Sequence, residues 1–286
     1  MAQVTLSGKY AFGFVSDETN AGVATTGMQI TDGNITISAT EDLGGGMKIT
    51  AKSEFASKGR GQGDLTGRDA SLTLSGGFGT LVMGSVLAGN PVNAYAGGNG
   101  RDSETTITPG GSVDLLQYVL PTMVTGLSVS LAKTDTAAAG AVNASNTTGV
   151  SASYTAGALM VGVGVTNYKA TSTAKSRTTM GASYDLGMAK VSYGTQTYKY
   201  LSTATVTTDK KETVFGITAP VGGALSVGIT SRKMSQVGTN NRSSTDIGAT
   251  YSLSKRTSVN LSSESVKTVG TAASANLQRI KLTHTF

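Results

Sequence analysis

Apolar residues recur at every second position in short runs along almost the whole of this 286-residue chain. Leu6, Tyr10 and Phe14 share one parity near the start, and Ile247 and Tyr251 share one near the end. Period two is the spacing of a β-strand with one apolar and one polar face, whereas a helix repeats every 3.6 residues. The chain is therefore predicted to be all-β, and no shift in composition marks a second domain.

Composition agrees with strands and turns. Gly accounts for 38 residues and Pro for 4, charged residues make up 14%, and Cys and Trp are absent. The absence of Cys excludes a disulfide framework and thiolate metal sites. Mean hydropathy is −0.02. The sequence contains no run of about 18 apolar residues, the length that a membrane-spanning helix needs. The start, residues 1–6, lacks the basic and apolar regions of a signal peptide and fits an initiator Met placed on a mature chain.

The connections between the apolar runs are of two kinds that alternate along the chain. Seven are short turns, at 41–46, 76–79, 121–126, 155–157, 185–187, 220–223 and 254–256. Eight are longer and polar, near 16–27, 57–67, 86–112, 133–148, 168–176, 198–211, 232–243 and 268–275. Fifteen connections join sixteen antiparallel strands, with short turns at one end and long loops at the other. That arrangement is typical of a bacterial outer-membrane β-barrel, with the short turns on the periplasmic side.

The final run, 276–286, predicts how such a barrel closes. Ile280, Leu282 and Phe286 lie on one face of it, and Arg279 and Lys281 lie on the other. Pairing this strand with the first, at 4–14, removes two open edges, each of whose unpaired backbone groups costs several kcal/mol in lipid. We therefore predict one transmembrane barrel domain over 1–286, with Phe286 required for closure and assembly.

The main alternative from the residues alone is a structural or adhesive outer-surface β-protein without channel activity. A β-solenoid of that kind repeats residue identities at a fixed period of about 20 to 50 residues. Only the alternation recurs in this chain.

If the apolar parity faces lipid, the opposite parity faces the lumen and names candidate pore-lining residues. These are Lys9, Lys48, Lys52, Glu54, Asp69, Lys190, Asp246, Arg279 and Lys281. Six of the nine are basic, which favours a weak preference for anions because a low-dielectric wall concentrates counter-ions. Lys48 and Lys190 stand beside turns, where a position at the rim is the alternative. The net charge of +6 is dispersed rather than gathered in a run, so no nucleic-acid partner is predicted.

The sequence offers little for catalysis. A Ser-His-Asp or Cys-His nucleophile needs a histidine base, and the one histidine, His284, falls on the outward parity. No phosphate-binding loop or zinc spacing is present, so neither an enzyme nor a cofactor is expected. Asp102 and Glu104 could hold Ca²⁺, but their spacing is not diagnostic.

Five segments resemble the betaproteobacterial Gram-negative porin family. They are the first strand at 4–8, turn regions at 40–48, 74–84 and 118–128, and the last residues, 284–286. The resemblance implies a sixteen-stranded barrel in the bacterial outer membrane, commonly a homotrimer, that lets small hydrophilic solutes diffuse passively. The expected partners are the lipid bilayer with its lipopolysaccharide, small anions and hydrophilic solutes.

The same resemblance implies that the longest connection, 86–112, folds into the pore as a constriction loop. Its charged residues Arg101, Asp102 and Glu104 would then face the barrel wall, whereas a solvated external loop is the alternative. Members of the family commonly carry Arg at the position of Ser85, as part of the basic wall of the constriction. We therefore include Ser85 among the candidate constriction residues.

Overall fold

The computed structural model describes residues 3–57, 65–96, 111–135, 146–169, 174–200, 209–236, 241–271 and 274–286. These residues form sixteen β-strands and one short 3₁₀ helix. The strands are Gln3–Glu18 (β1), Ala24–Gly44 (β2), Met47–Ala56 (β3), Thr66–Gly76 (β4), Gly79–Ala88 (β5), Gly111–Val119 (β6), Leu127–Asp135 (β7), Thr147–Ala156 (β8), Leu159–Tyr168 (β9), Ala174–Asp185 (β10), Lys190–Tyr200 (β11), Lys210–Pro220 (β12), Leu225–Ser235 (β13), Arg242–Ser252 (β14), Thr257–Thr268 (β15) and Ala275–Thr285 (β16). The helix, Pro91–Tyr95, lies between β5 and β6.

Each strand pairs antiparallel with its neighbours in sequence, and β1 also pairs with β16. The sheet is therefore a closed barrel without an open edge. The predicted strand number and the pairing of the first strand with the last are confirmed. The connections follow the predicted alternation of lengths, except that the turn 120–126 is longer than some of the loops, such as 19–23 and 169–173. We call the end that carries the short turns the turn side and the opposite end the loop side.

The polarity of the two faces of the sheet is reversed relative to a water-soluble protein, with apolar side chains on the outer face and polar ones on the inner face. Leu6, Phe12 and Leu282 on one face are 64%, 54% and 51% exposed, whereas Gln196 and Glu212 on the other are fully buried. Large apolar side chains left in the open and polar ones enclosed are expected when lipid surrounds the barrel and water fills it. Among the described residues, no helix has the length and apolar character to cross a membrane.

Two of the short turns are built in the same way from an Asp and a Gly. The backbone N–H of Gly44 donates to Asp42 Oδ1 and that of Gly187 to Asp185 Oδ1, both at 2.8 Å. Gly44 and Gly187 have φ angles of 78° and 81°, a left-handed conformation that glycine adopts without steric cost. These local turns fix which strands become neighbours.

Outward-facing tyrosines collect at the turn side. Tyr154, Tyr184 and Tyr251 each lie within two residues of the turn-side end of their strand and are 40%, 47% and 50% exposed. Aromatic side chains form such girdles at the boundary between lipid and water, because one end of the ring is apolar and the other is polar. The turn side therefore ends at a membrane interface.

Candidate functional site

Charged side chains on the inner face of β1 and β2 form an ion pair. Lys9 Nζ contacts the carboxylate of Asp32, whose side chain is 11% exposed. A bulge between Ala11 and Phe12 shifts the register of β1 against β2, so that Asp32 stands opposite Ala11, diagonal to Lys9. Lys9 thus lies on the inner face, and a carboxylate that the sequence did not single out offsets its charge.

A second inner cluster surrounds Glu54 on β3. Its carboxylate lies 3.3 Å from Arg68 Nη1 and 3.7 Å from Lys52 Nζ, and it accepts a hydrogen bond of 3.1 Å from Asn34 Nδ2. The Glu54 side chain is 12% exposed. Lys52 and Glu54 lie on the inner face, and the charge of Glu54 is shared between two cations.

The third inner cluster lies on β14 to β16. Asp246 and Glu264 are directly paired across β14 and β15, and they are 3% and 4% exposed. Arg279 pairs with Ser262 and is therefore diagonal to Glu264, a separation that long side chains span. Lys281, two residues further along β16, is 6% exposed. Each of the four charged residues has a polar or electrostatic partner.

The helix Pro91–Tyr95 is tied to the polar face of β11 to β13. Asn90 caps the helix through its Oδ1, and its Nδ2 donates to Glu212 Oε2 at 3.1 Å. Gln196 Nε2 donates to the same oxygen at 2.7 Å. Arg232 donates to Asn93 Oδ1. Three strands thus hold the start of the connection between β5 and β6 in one position.

Tyr95 at the end of the helix rests on a row of three glycines. Gly162, Gly181 and Gly194 are directly paired across β9, β10 and β11. A Cβ atom on any of them would come within 2.3 to 2.6 Å of Tyr95 atoms, closer than non-bonded atoms approach. Burial raises the pKa of the Tyr95 hydroxyl. Only glycine, which has no Cβ atom, leaves room for the Tyr95 ring at these three positions.

A further basic cluster, absent from the sequence predictions, lies near the loop side. Lys210 Nζ is 4.6 Å and Arg177 Cζ is 5.9 Å from the centroid of the Tyr198 ring. Arg177 Nη2 also donates to Thr166 Oγ1 at 3.2 Å. Parity could have identified Arg177 as inward-facing, because it lies an odd number of residues from Met180, which faces outward on the same strand. Arg177 lies before the apolar run that marks this strand in the sequence, however.

Two predicted residues do not line the lumen in the expected way. Ser85 lies two residues from the outward-facing Met83 and pairs with Ala70 and Asp114, which places it on the outward, apolar face of β5. Its assignment to the constriction is therefore corrected. Asp69 lies at a bulge between β3 and β4, and its Oδ1 accepts a 3.0 Å hydrogen bond from the backbone N–H of Leu87. Asp69 thus completes the sheet where the bulge has removed a ladder partner.

The remaining predicted residues lie at the turn side or outside the described part of the chain. Lys48 pairs in register with Asp42, and Lys190 with Asp185, each next to a short turn. Both lysines therefore lie at the turn-side rim. Arg101, Asp102 and Glu104 lie outside the described residues. Within the described ranges, no group of three or more His, Asp or Glu side chains is arranged to hold a metal ion.

Together, the inner clusters contain more basic than acidic groups. The basic residues are Lys9, Lys52, Arg68, Arg177, Lys210, Arg232, Arg279 and Lys281, and the acidic ones are Asp32, Glu54, Glu212, Asp246 and Glu264. Among these residues, the eight cations exceed the five anions by three. Most of the acidic groups contact a cation or a donor directly, which reduces the field that reaches the centre of the lumen.

The model of the Gram-negative porin family matches residues 1–271. The chain belongs to the Gram-negative porin family. It is therefore a bacterial outer-membrane protein whose water-filled barrel serves as a channel for passive diffusion, and the adhesive or structural alternative is not favoured.

Solved porin structures share the fold of this porin. An anion-selective porin from Comamonas acidovorans is 21% identical with a TM-score of 0.79, and the similarity covers 100% of both chains. A loop-deletion variant of OmpT, an outer-membrane protein of Vibrio cholerae, is 15% identical with a TM-score of 0.76, covering 100% of this chain and 99% of that one. A mutant of the Rh. blastica porin is 17% identical with a TM-score of 0.74, covering 99% and 100%. No curated protein sequence matches this porin.

Proposed function

We propose that this porin admits small hydrophilic solutes with a weak preference for anions. The observation that carries the proposal is the excess of cations among the inner clusters. A relative of the same fold is described as anion-selective, but at 21% identity the selectivity of this chain must come from its own residues.

The preference is weak because the charges are interleaved. Lys9 faces Asp32, and Lys52 and Arg68 share Glu54. An ion in the lumen therefore experiences short-range pairs whose fields largely cancel, and salt screens what remains over about 10 Å at 0.1 M. Size and hydration, more than charge, should set the rate at which solutes pass.

We also propose that 1–286 is a single barrel domain in which the connection 86–112 narrows the pore. The support is the contact of Pro91–Tyr95 with the polar face of β9 to β13, through Glu212, Arg232 and the glycine row. Arg101, Asp102 and Glu104 belong to the same connection and would add one cation and two anions to the narrow region.

No chemistry is required for passage, and we propose that the protein is not an enzyme. His284 Nδ1 lies 2.9 Å from Thr257 Oγ1, and its strand parity places the imidazole on the outward face. A histidine on that face is remote from any solute in the lumen. The contact of His284 with Thr257 instead links β15 to β16 on the outer face.

Lipopolysaccharide is the proposed partner of the outward lysines at the loop side. Lys133, Lys211, Lys233 and Lys267 are exposed and lie within three residues of the loop-side ends of their strands. Lipopolysaccharide carries phosphates, and ammonium groups at that level can pair with them. We also propose that the barrel forms the homotrimer common among porins, which gels run with and without boiling would test.

Single-channel recording in planar bilayers tests the channel and its selectivity together. The purified protein should give stepwise conductance, and its absence would contradict the channel. In a KCl gradient the reversal potential should favour Cl⁻ slightly. A reversal potential that favours K⁺ would overturn the anion preference and leave the channel intact.

A further inference from the structure

The inner wall formed by β6 to β9 differs from the rest of the lumen because its inward positions are uncharged. Those that line the space facing the helix are Gln117, Ser128, Ser130, Ala132, Gly149, Ser151, Ser153, Gly162, Gly164 and Thr166. The charged clusters described above occupy β1 to β4 and β10 to β16 instead. The lumen therefore has one sector of hydroxyls and bare backbone and another of ion pairs.

This uncharged wall and the helix enclose a cleft. The cleft has a volume of about 330 Å³ and is bounded on the helix side by Pro91 and Tyr95. Pockets that hold one small molecule start at about 300 Å³. The cleft therefore has room for one small solute.

The hydroxyls of the wall are already arranged in a row. Gln117 Nε2 lies 3.4 Å from Ser130 Oγ, and Ser130 Oγ lies 2.8 Å from Ser151 Oγ. A serine hydroxyl can donate one hydrogen bond and accept others, which matches a ligand whose own hydroxyls do both. These groups already pair with one another, so a polyol can join the row as a further donor and acceptor, whereas an apolar ligand would gain no hydrogen bond there.

Among the described residues, one charged side chain borders the cleft, that of Arg177, and its guanidinium is held against the cleft wall. Arg177 donates to Thr166 and lies over the Tyr198 ring. On the helix side the cleft is bounded by Tyr95, which is 7% exposed because its ring packs on the glycine row. The serine hydroxyls of the wall can both donate to and accept from the hydroxyls of a sugar.

We propose that this cleft is a binding site for a small uncharged polyol of about monosaccharide size. The site rests on the proposed pore and adds to it a point where neutral solutes pause during passage. Ions pass by the charged sector, whereas polyols exchange hydrogen bonds with Ser130 and Ser151. The prediction is saturable binding of a sugar in a channel whose ion conductance stays ohmic.

The test uses the whole protein in planar bilayers and in liposomes, with glucose as the probe. Glucose should add current fluctuations that saturate with concentration, and the double variant Ser130→Ala with Ser151→Ala should raise the half-saturating concentration about tenfold, since two hydrogen bonds of ordinary strength are lost. The KCl conductance of the double variant should stay within the range of the unmodified protein. Ser262→Ala, on the inner face of β15, is the matched control and should leave glucose binding unchanged.

The outcomes separate this site from the channel itself. Stepwise KCl conductance without a saturable effect of glucose, or with an equal effect in the double variant, would overturn the polyol site alone. Sodium lactate acting at lower concentrations than glucose would overturn its preference for uncharged solutes. Loss of KCl steps in the unmodified protein would instead contradict the proposed channel.

Discussion

Gly8 and Phe286 exchange both of their backbone hydrogen bonds, each at 3.0 Å, and so complete the pairing of β1 with β16. A Cβ atom on Gly8 would lie 2.3 Å from Phe286 Cζ. The ring of Phe286 also stacks on Tyr10, with centroids 6.1 Å apart and 14° between the planes. The seam of the barrel therefore combines a missing side chain on one strand with a large ring on the other.

The first prediction concerns this seam. Gly8→Val should lower the yield of assembled barrel severalfold because its methyl groups occupy the position of the Phe286 ring. Deletion of Phe286 should impair insertion in the same way, while pores that do assemble keep their conductance. The measurement is the heat-modifiable fraction on gels, followed by single-channel recording.

Gly67→Ala is the matched control for the seam, because an added Cβ there meets nothing within 4 Å. Its yield should equal that of the unmodified protein. Normal assembly of Gly8→Val would show that the Phe286 ring can move aside without consequence.

The second prediction concerns the seat of Tyr95. Gly194→Val should push the ring from the row of glycines, because even a Cβ at this position would be 2.6 Å from Tyr95 Cδ2. The helix would lose one of its anchors, and the KCl conductance should rise and become noisier. Gly164→Ala, where the nearest atom is an ordinary 3.4 Å away, should change neither. Unchanged conductance in an assembled Gly194→Val barrel would show that Tyr95 does not control the pore width.

The third prediction concerns the basic groups on β16. Arg279→Gln with Lys281→Gln removes two inner cations, so the reversal potential should shift toward K⁺. The shift should be larger at 0.1 M than at 1 M KCl, because screening lengths fall from about 10 to about 3 Å. Lys211→Gln removes an outward cation and should leave selectivity unchanged. An equal shift from both variants would indicate that net charge, and not its position, sets the preference.

The fourth prediction concerns Glu212, which is fully buried and receives hydrogen bonds from Asn90 and Gln196. Glu212→Gln keeps the shape but removes a negative charge, so the anion preference should increase. It also weakens the two hydrogen bonds, since bonds to charged groups are worth about 1.5 to 3 kcal/mol and neutral ones about 1. Reversal potentials and thermal stability of the assembled barrel measure the two effects. A shift toward K⁺ would contradict the inner position assigned to this carboxylate.

The barrel was predictable because its determinants are local. Alternation at Leu6 to Phe14 fixes the face of a strand, and an Asp-Gly turn such as that at Asp185 and Gly187 fixes its neighbour. The same parity rule predicts an inward face for Lys9, Lys52 and Lys281, because each alternates with exposed apolar residues on its strand. Period and turn chemistry are readable from adjacent residues.

The site was less predictable because its contacts join distant residues. Asn90 and Glu212 are 122 positions apart, and nothing near either one signals the other. The bulge next to Asp69 alters which atoms the carboxylate can reach, and bulges leave little trace in an alternating pattern. Ser85 was chosen by resemblance to relatives, and its own parity with Met83 contradicts that choice.

The seam also has a consequence for the order of folding. Every strand pair except that of β1 with β16 joins neighbours in sequence. At the loop side of the seam, Asn276 donates a hydrogen bond to Glu18 across 258 positions. Contacts of such long range form slowly, because the entropy of closing the loop is lost before any pairing energy returns. We expect fifteen hairpin-like pairings to accumulate first as a curved open sheet. This open sheet, with its two unpaired edges, would then be the species that a cell must shield from aggregation until the barrel closes.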